Sequence, residues 1–370
     1  MRRGGPSFEQ VASFTPLCRA AREAARGLKH RRSVASFLAD LEPEVLALER
    51  ELLDGSYRPR PLVTFHIRDP KPRVISAAAF RDRVVHHALC AALEPRFERY
   101  ADPDSWACRK GRGNHAAVRR LQILTRQHPW YVKLDVRHFF ETVDHAVLMA
   151  LLHRLVRDRR VLALAGTILD AGGREPGIGL PIGNLTSQHF GNLLLGKLDH
   201  HLREGLRVPA MLRYMDDIVL LGPDRPSVRR FRDQAARFVE QELHQQIKTE
   251  ATRLGPVSIG VPFLGFRVWP QLIRLDAARA RRFLARVRGL ERGLAAGDIG
   301  EEEAARRARS VFGWAEQADS MAFRRSVLLR ARAAHRSAFS SVPRLSDSSD
   351  PCGSADPGIA APRARPIPAG

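Results

Sequence analysis

Residues 212–222, LRYMDDIVLLG, place Asp216 and Asp217 side by side between two short apolar runs. The runs LRY and IVLL predict strands whose inner faces are buried, with the two aspartates at the tip of the hairpin between them. Aspartate is a common turn residue, and an Asp-Asp pair by itself reads as a solvated tip. Here the flanking strands would hold the tip rigidly beside a neighbour. The candidate neighbour is WYVKLDV, Trp130 to Val136, a buried strand by composition with Asp135 near its end. If the two strands pair side by side, Asp135 comes level with the hairpin tip and the carboxylates collect there.

Carboxylates that close repel one another, and each tends to take up a proton. Divalent cations remove the conflict. Hard oxygen ligands suit Mg²⁺, which keeps waters and accepts substrate phosphates to complete its octahedron. Two such ions about 3.5–4 Å apart can activate an attacking hydroxyl and stabilise the leaving oxygen of an in-line phosphoryl displacement. The expected cofactor is therefore a pair of Mg²⁺ ions, for which Mn²⁺ can substitute.

The formal charge of +21 fits a polyanionic partner, because Lys and Arg that neutralise phosphates release condensed counterions. Its distribution sharpens the point. Lys plus Arg against Asp plus Glu counts 25 against 14 over residues 1–134, 18 against 15 over 135–270, and 15 against 8 over 271–340. Two basic flanks enclose a nearly neutral middle, which a general coding bias towards arginine would not spare. No stretch of about 18 apolar residues free of charge occurs, and Arg2, Arg3, Gly4, Gly5 and Pro6 do not lead into a signal peptide. A cytoplasmic protein without a membrane partner is expected. The cysteines Cys18, Cys90, Cys108 and Cys352 contain no CxxC pair, so they support neither a disulfide framework nor a zinc ribbon.

Residues 8–54 have helical spacing that ends at Gly55. YRPRPLVTFHIRDPKPRVIS reads as a two-stranded ribbon with a proline-stiffened turn. FRDRVVHHALCAALEPRF is a helix with Glu94 and Pro95 near its end, and Gly111 and Gly113 precede another helix. The middle then reads β-α-α-β-β-α followed by a small hairpin around GVPFLGFRVWPQLIRL, with Asp144 as a helix cap. That mixture predicts an α+β fold, an antiparallel sheet with helices on one face. From Asp276 to about Phe339 the pattern predicts three helices, with AAGDIGEEEA as a break, and the Ser-, Pro- and Gly-rich end predicts a disordered tail.

Taken in order, YVKLDVRHFFETVDH, GLPIGNLTSQHFGNLLLGKLD, LRYMDDIVLL, QIKTE and PFLGFRV resemble the successive palm motifs of reverse transcriptases. DPKPRVISAAAFRDRVVHHAL and SWACRKGRGNHAAV resemble the two finger motifs of the bacterial members. The likeness covers residues 57–270. It implies a right-hand polymerase: an N-terminal helical extension at 1–56, fingers at 57–125, a ferredoxin-like catalytic palm at 126–270, a helical thumb at 271–340 and the tail at 341–370. The implied activity is RNA-directed DNA polymerase. The implied partners are an RNA template, a DNA or RNA primer and dNTPs, with an accessory protein left open.

Residue by residue, the resemblance implies that Asp135 and Asp216 bind metal, with Asp217 as the supporting carboxylate and Val136 contributing beside Asp135. Phe140 matches the steric gate under the sugar 2′ position. Lys71 and Arg73 lie where the finger ribbon offers cations to the triphosphate, and Ile182, Gly183 and Gln188 fall in the dNTP-binding segment. Lys248 corresponds to the lysine that protonates departing pyrophosphate. Arg109, Lys110 and Arg112 suit contact with nucleic acid, as do Tyr214 and Met215. Phe263, Leu264, Gly265 and Phe266 resemble the hairpin that grips the primer end.

In LPIGNLTSQ, Ile182 stands where many relatives have Gln, and Gln188 where they have Pro. The pattern resembles the reverse transcriptases of diversity-generating retroelements, whose copying is error-prone at template adenines. A branched apolar side chain cannot donate the hydrogen bonds of a Gln amide, so base-pair geometry would be policed less strictly. Group II intron-like, retron-like and phage-defence lineages remain alternatives, as does a catalytically idle RNA-binding scaffold.

Overall fold

The computed structural model describes residues 5–67, 73–173, 175–327 and 329. Contacts divide the chain into two compact units, Met1–Met321 and Ala322–Gly370. The divisions expected at 56, 125 and 270 fall within the first unit. In the second, residues 322–327 and 329 are helical. The expected tail at 341–370 and Lys71 lie outside the described residues. No helix among the described residues is long and apolar enough to cross a membrane.

Helices α1 (Glu9–Ala12), α2 (Phe14–Ala24), α3 (Arg32–Ala39) and α4 (Leu41–Asp54) open the chain. α4 stops at Gly55, whose φ of 77° puts the cap in the left-handed region that glycine enters without penalty. Strands β1 (Val63–Ile67) and β2 (Arg73–Ala77) form the antiparallel ribbon. Helix α5 (Phe80–Tyr100) carries Pro95 near its end, as the sequence pattern predicts. Leu93 and Phe97, on either side of the proline, are both buried. Their packing offsets the backbone bond that proline cannot donate.

After α6 (Asn114–Thr125) come β3 (Trp130–Asp135), α7 (His145–Leu155), α8 (Arg159–Gly172), α9 (Leu185–His200), β4 (Ala210–Tyr214), β5 (Asp217–Gly222), α10 (Arg225–Leu243) and β6 (Arg253–Pro256). Asp144 caps α7 as expected, its Oδ1 accepting from the backbone N of Ala146 at 2.7 Å. The expected β-α-α-β-β-α order needs two additions. Helix α8 is capped by Asp158, which accepts from the N of Arg160 at 2.8 Å. Strand β6, RLGP, has no β-branched residue and is defined by its pairing with β3. The sheet order is β4-β5-β3-β6, all antiparallel. The first strand in sequence lies between the third and the fourth, which is the ferredoxin-like arrangement.

Strand alternation sorts the side chains into two cores. Val132, Leu134, Met211, Ile218 and Leu220 join the core that includes α5, α7, α8, α9 and α10. Tyr131, Ala210, Leu212, Val219 and Leu221 join a second core with α6 and the small sheet that follows. Helices therefore cover more than one face, contrary to the simpler expectation. The small sheet has three strands, β7 (Val261–Phe263), β8 (Phe266–Val268) and β9 (Ile273–Leu275), where a hairpin was expected. Its third strand is fixed from a distance: Asp319 Oδ2 accepts from the N of Ile273 at 2.7 Å. Helices α11 (Ala277–Ala295) and α12 (Glu301–Ala315) follow, with Asp276 Oδ1 capping α11 through the N of Arg279 at 2.7 Å.

Candidate functional site

The strand ending in Asp135 does lie beside the hairpin. β3 pairs with β5 so that Asp135 stands opposite Asp217, and Tyr214 stands opposite Asp217 from the other side. Residues directly opposite in an antiparallel pair share a face, so Asp135, Asp217, Tyr214 and Lys133 project on the side of the second core. Met215 and Asp216 make the tight turn between β4 and β5. Met215 has a φ of 53°, a left-handed conformation that costs a non-glycine residue free energy and persists only where the surroundings impose it. They do so here through Gly191 on α9. A Cβ at Gly191 would sit 2.9 Å from the Phe139 ring and 3.4 Å from Met215 Cε, so the missing side chain lets both reach the helix.

Electrostatics in the cluster are unfavourable by themselves. Burial pushes the Asp217 carboxyl up to about 6, against the pull of Lys133, and the charges of Asp216 and Asp135 push the same way. Burial also raises Asp216, with Asp135 adding to it and Arg73 and Lys133 opposing it. Lys133 Nζ stands 3.2 Å from Asp217 Oδ2, while Oδ1 of Asp217 is buried without a hydrogen-bond partner. Among the described residues no three His, Cys, Asp or Glu side chains converge as a ready-made cage. The fit to a divalent cation is chemical: adjacent hard carboxylate oxygens, one of them buried and unpaired, whose mutual repulsion a cation would relieve.

The chain beyond Asp135 is clamped by the loop after α10. The N of Lys248 donates to the carbonyl of Asp135 at 2.8 Å, and the N of Arg137 donates to the carbonyl of Gln246 at 2.7 Å. These bonds flank Val136, whose own carbonyl takes part in neither. Phe140 lies in a short 3₁₀ turn, Phe139–Glu141, with its ring 5.2 Å from that of Phe139. Its carbonyl accepts from the N of Leu180 at 2.6 Å. The segment 180–183 is thereby attached to the turn that follows the strand carrying Asp135.

The same segment docks the ribbon. The carbonyl of Ile182 accepts from the N of Ser76 at 2.9 Å, and Asn184 Oδ1 accepts from the N of Ala78 at 3.1 Å. Gly183 has a φ of 118°, and a Cβ there would lie 2.7 Å from Ile75 Cγ2. Gly183→Ala should accordingly destabilise this junction by about 1–3 kcal/mol. Hydrogen exchange along β1 and β2 should accelerate; unchanged exchange would contradict the account. Arg73, exposed on β2, is close enough for its charge to act on Asp216. Gln188 is exposed on α9, where its Oε1 accepts from Cys108 Sγ at 3.3 Å.

The basic loop is less available than its sequence suggests. Arg109 turns inward with its side chain 9% exposed. Its Nε lies 3.0 Å from both oxygens of Glu98, and its Nη1 donates to the carbonyls of Asp102 and Ser105 at 2.8 and 2.7 Å. Arg109 thus braces the loop within the fold, its donors used on Glu98, Asp102 and Ser105. Arg112 lies over the Trp106 ring at 4.8 Å and donates to the carbonyl of Pro103. Lys110 alone of the three stays solvent-facing, 84% exposed, although its Nζ is 2.6 Å from Glu94.

Phe263 and Phe266 are buried in the second core. They pair across the β7–β8 turn, in which Leu264 and Gly265 have φ of 47° and 74°. This is the left-handed pair that a tight hairpin demands.

Four residues escaped the sequence reading. Lys133 shares a face with Asp135 by strand alternation, and a lysine inside an otherwise apolar strand was the available signal. Arg213, buried in β4, pairs with buried Asp199 of α9 at 2.6 Å, and Asn192 of α9 joins them. A charged residue in each of two apolar elements hinted at this pair, but their sequence spacing did not predict that they meet.

Residues 67–268, more than half the chain, match the family model described as reverse transcriptase (RNA-dependent DNA polymerase). The chain is 27% identical over 275 residues to Protein YkfC of Escherichia coli (strain K12), covering 62% of this chain and 72% of that protein. It is 26% identical over 167 residues to the group II intron-encoded protein LtrA of Lactococcus lactis subsp. cremoris, covering 43% of this chain and 28% of LtrA. A structure of apo telomerase from Candida tropicalis, truncated from its C-terminal domain, superposes with a TM-score of 0.47 at 11% identity, over 61% of this chain and 59% of that one. This chain thus spans little more than a quarter of LtrA and under two thirds of the telomerase chain. By the match of its residues 67–268, the chain belongs to the reverse transcriptase family.

Proposed function

We propose that this chain is an RNA-directed DNA polymerase that extends a primer 3′ hydroxyl with deoxynucleotides. The observation that carries the reading is the register of Asp135 against Asp217 with Asp216 at the adjoining turn. Asp135 and Asp216 would hold the divalent cations, with Asp217, braced by Lys133, supporting them. Mg²⁺ bound there would supply positive charge against a triphosphate and ease deprotonation of the attacking hydroxyl. Arg73 adds a fixed cation at the same site, and Phe140 shapes the sugar pocket. Lys248, tied through its backbone to Asp135, would donate a proton to departing pyrophosphate. The basic flanks would hold the template–primer duplex by phosphate contacts that position it without reading sequence.

Primer extension on an RNA template in Mg²⁺ tests the reading. Extension that EDTA abolishes and excess Mg²⁺ restores is expected, with binding that weakens steeply as salt rises. A pure protein that binds RNA and adds no nucleotide would favour the scaffold reading.

The finer reading is an error-prone enzyme of a diversity-generating retroelement, and Ile182 and Gln188 support it. Ile182 stands at the junction between ribbon and palm, with an apolar side chain in place of an amide donor. Ile182→Gln should lower misincorporation opposite template adenine, measured by sequencing the cDNA. Equal error spectra would remove this support. Similarity to LtrA favours a group II intron-like lineage as the second reading.

A further inference from the structure

Arg213 is fully buried, which is costly for a guanidinium unless its charge and all its donors are matched. It lies two residues before Met215, on the sheet face packed against α9 and opposite to the carboxylates. Every N–H has an acceptor. Nε lies 2.8 and 3.0 Å from the two oxygens of Asp199. Nη2 donates to Asp199 Oδ2 at 2.6 Å and to Ser105 Oγ at 2.9 Å. Nη1 donates to Asn192 Oδ1 at 3.0 Å and to the carbonyl of Met215 at 3.3 Å.

Asp199 alone would satisfy the charge. The remaining bonds connect two parts of the site. Asn192 Nδ2 donates to the carbonyl of Ala107 at 2.7 Å. The N of Arg213 donates to the carbonyl of Asp104 at 2.9 Å, and its carbonyl accepts from the N of Trp106 at 2.9 Å. Arg213 therefore joins the loop 104–107, which leads into the basic segment, through its backbone and through Nη2 at Ser105 Oγ, and its side chain carries that link to the peptide directly before Asp216. That peptide belongs to the residue with the left-handed φ, the conformation most in need of external support.

We infer that Arg213, seated by Asp199 and Asn192, is a positioning residue that holds the Met215 peptide, and with it Asp216, in a fixed relation to loop 104–107. It touches no reacting atom. The inference rests on the polymerase reading for its kinetic consequence and on the fold alone for its structural one.

Two variants separate the bonds. Asn192→Ala removes the link from Ala107 to Arg213 and leaves the Asp199 pair. Arg213→Lys keeps the charge but has one nitrogen with three donors in place of the five-donor fork. For Asn192→Ala, kcat for single-nucleotide addition should fall about tenfold, the cost of roughly one hydrogen bond's worth of alignment. For Arg213→Lys the fall should be about 100-fold, the scale of an ångström of misplacement. In both, KM for the dNTP and Kd for primer–template should stay within about twofold, because the binding groups are untouched. Amide exchange in the peptide spanning Met215 to Asp217 should accelerate while that of β3 stays unchanged. A uniform loss of stability would instead speed exchange throughout the sheet. Unchanged turn exchange in both variants, or kcat and KM shifting in proportion to a general loss of stability, would overturn the inference. If the wild type adds no nucleotide, the polymerase reading fails by itself. The exchange measurement still decides whether Arg213 holds the turn.

Discussion

Asp216→Ala is expected to reduce nucleotide addition by about 10³-fold or more, since a ligand to a catalytic cation is worth several kcal/mol of transition-state stabilisation. The fold should not suffer. Asp216 carries a carboxyl whose pKa is raised by burial and by Asp135, so its ionised form is disfavoured in the folded chain relative to the unfolded one. Near neutral pH, removing that charge relieves a native-state cost. The variant should melt at the same temperature as the wild type or slightly above it when no metal is present. Loss of activity with retained or increased stability is the signature of a site held against its own repulsion for function. A variant that unfolds would instead make Asp216 a structural residue.

The second large effect concerns the buried pair beneath the turn. Arg213→Met should cost about 3–5 kcal/mol of stability, because it leaves Asp199 buried and uncompensated. Asp199→Leu should cost a similar amount for the converse reason. The double variant is expected to recover most of the loss, since apolar replacements of similar volume often match a buried ion pair. Urea titrations of the four proteins would establish the pattern. Additive losses would mean that Asp199 and Arg213 do not stabilise each other. The recovered double variant should still add nucleotides slowly, for it lacks every bond to the carbonyl of Met215.

Much of this arrangement was legible in the sequence because hairpins and capped helices are local. LRYMDDIVLLG contains the end of β4, the turn and all of β5, and Asp144 announces the start of α7 by itself. The partnership of β3 with β5 was accessible for a different reason: β3 ends on Asp135 and β5 begins on Asp217, and each carboxylate makes chemical sense only beside the other. What escaped depends on contacts between distant segments. Strand β6 contains glycine and proline and exists because β3 offers it an edge, and β9 is held by Asp319. Spacing does not reveal that Glu98 and two carbonyls absorb the donors of Arg109.

The central claim is that Asp135 and Asp216 jointly bind the divalent cation at which the primer is extended. Anomalous diffraction from crystals containing Mn²⁺, a primer–template and an incoming nucleotide tests it most directly. The account predicts a manganese peak bonded to carboxylate oxygens of both Asp135 and Asp216 and to the nucleotide phosphates. Manganese bound away from these two side chains, in a complex that still extends its primer, would contradict it.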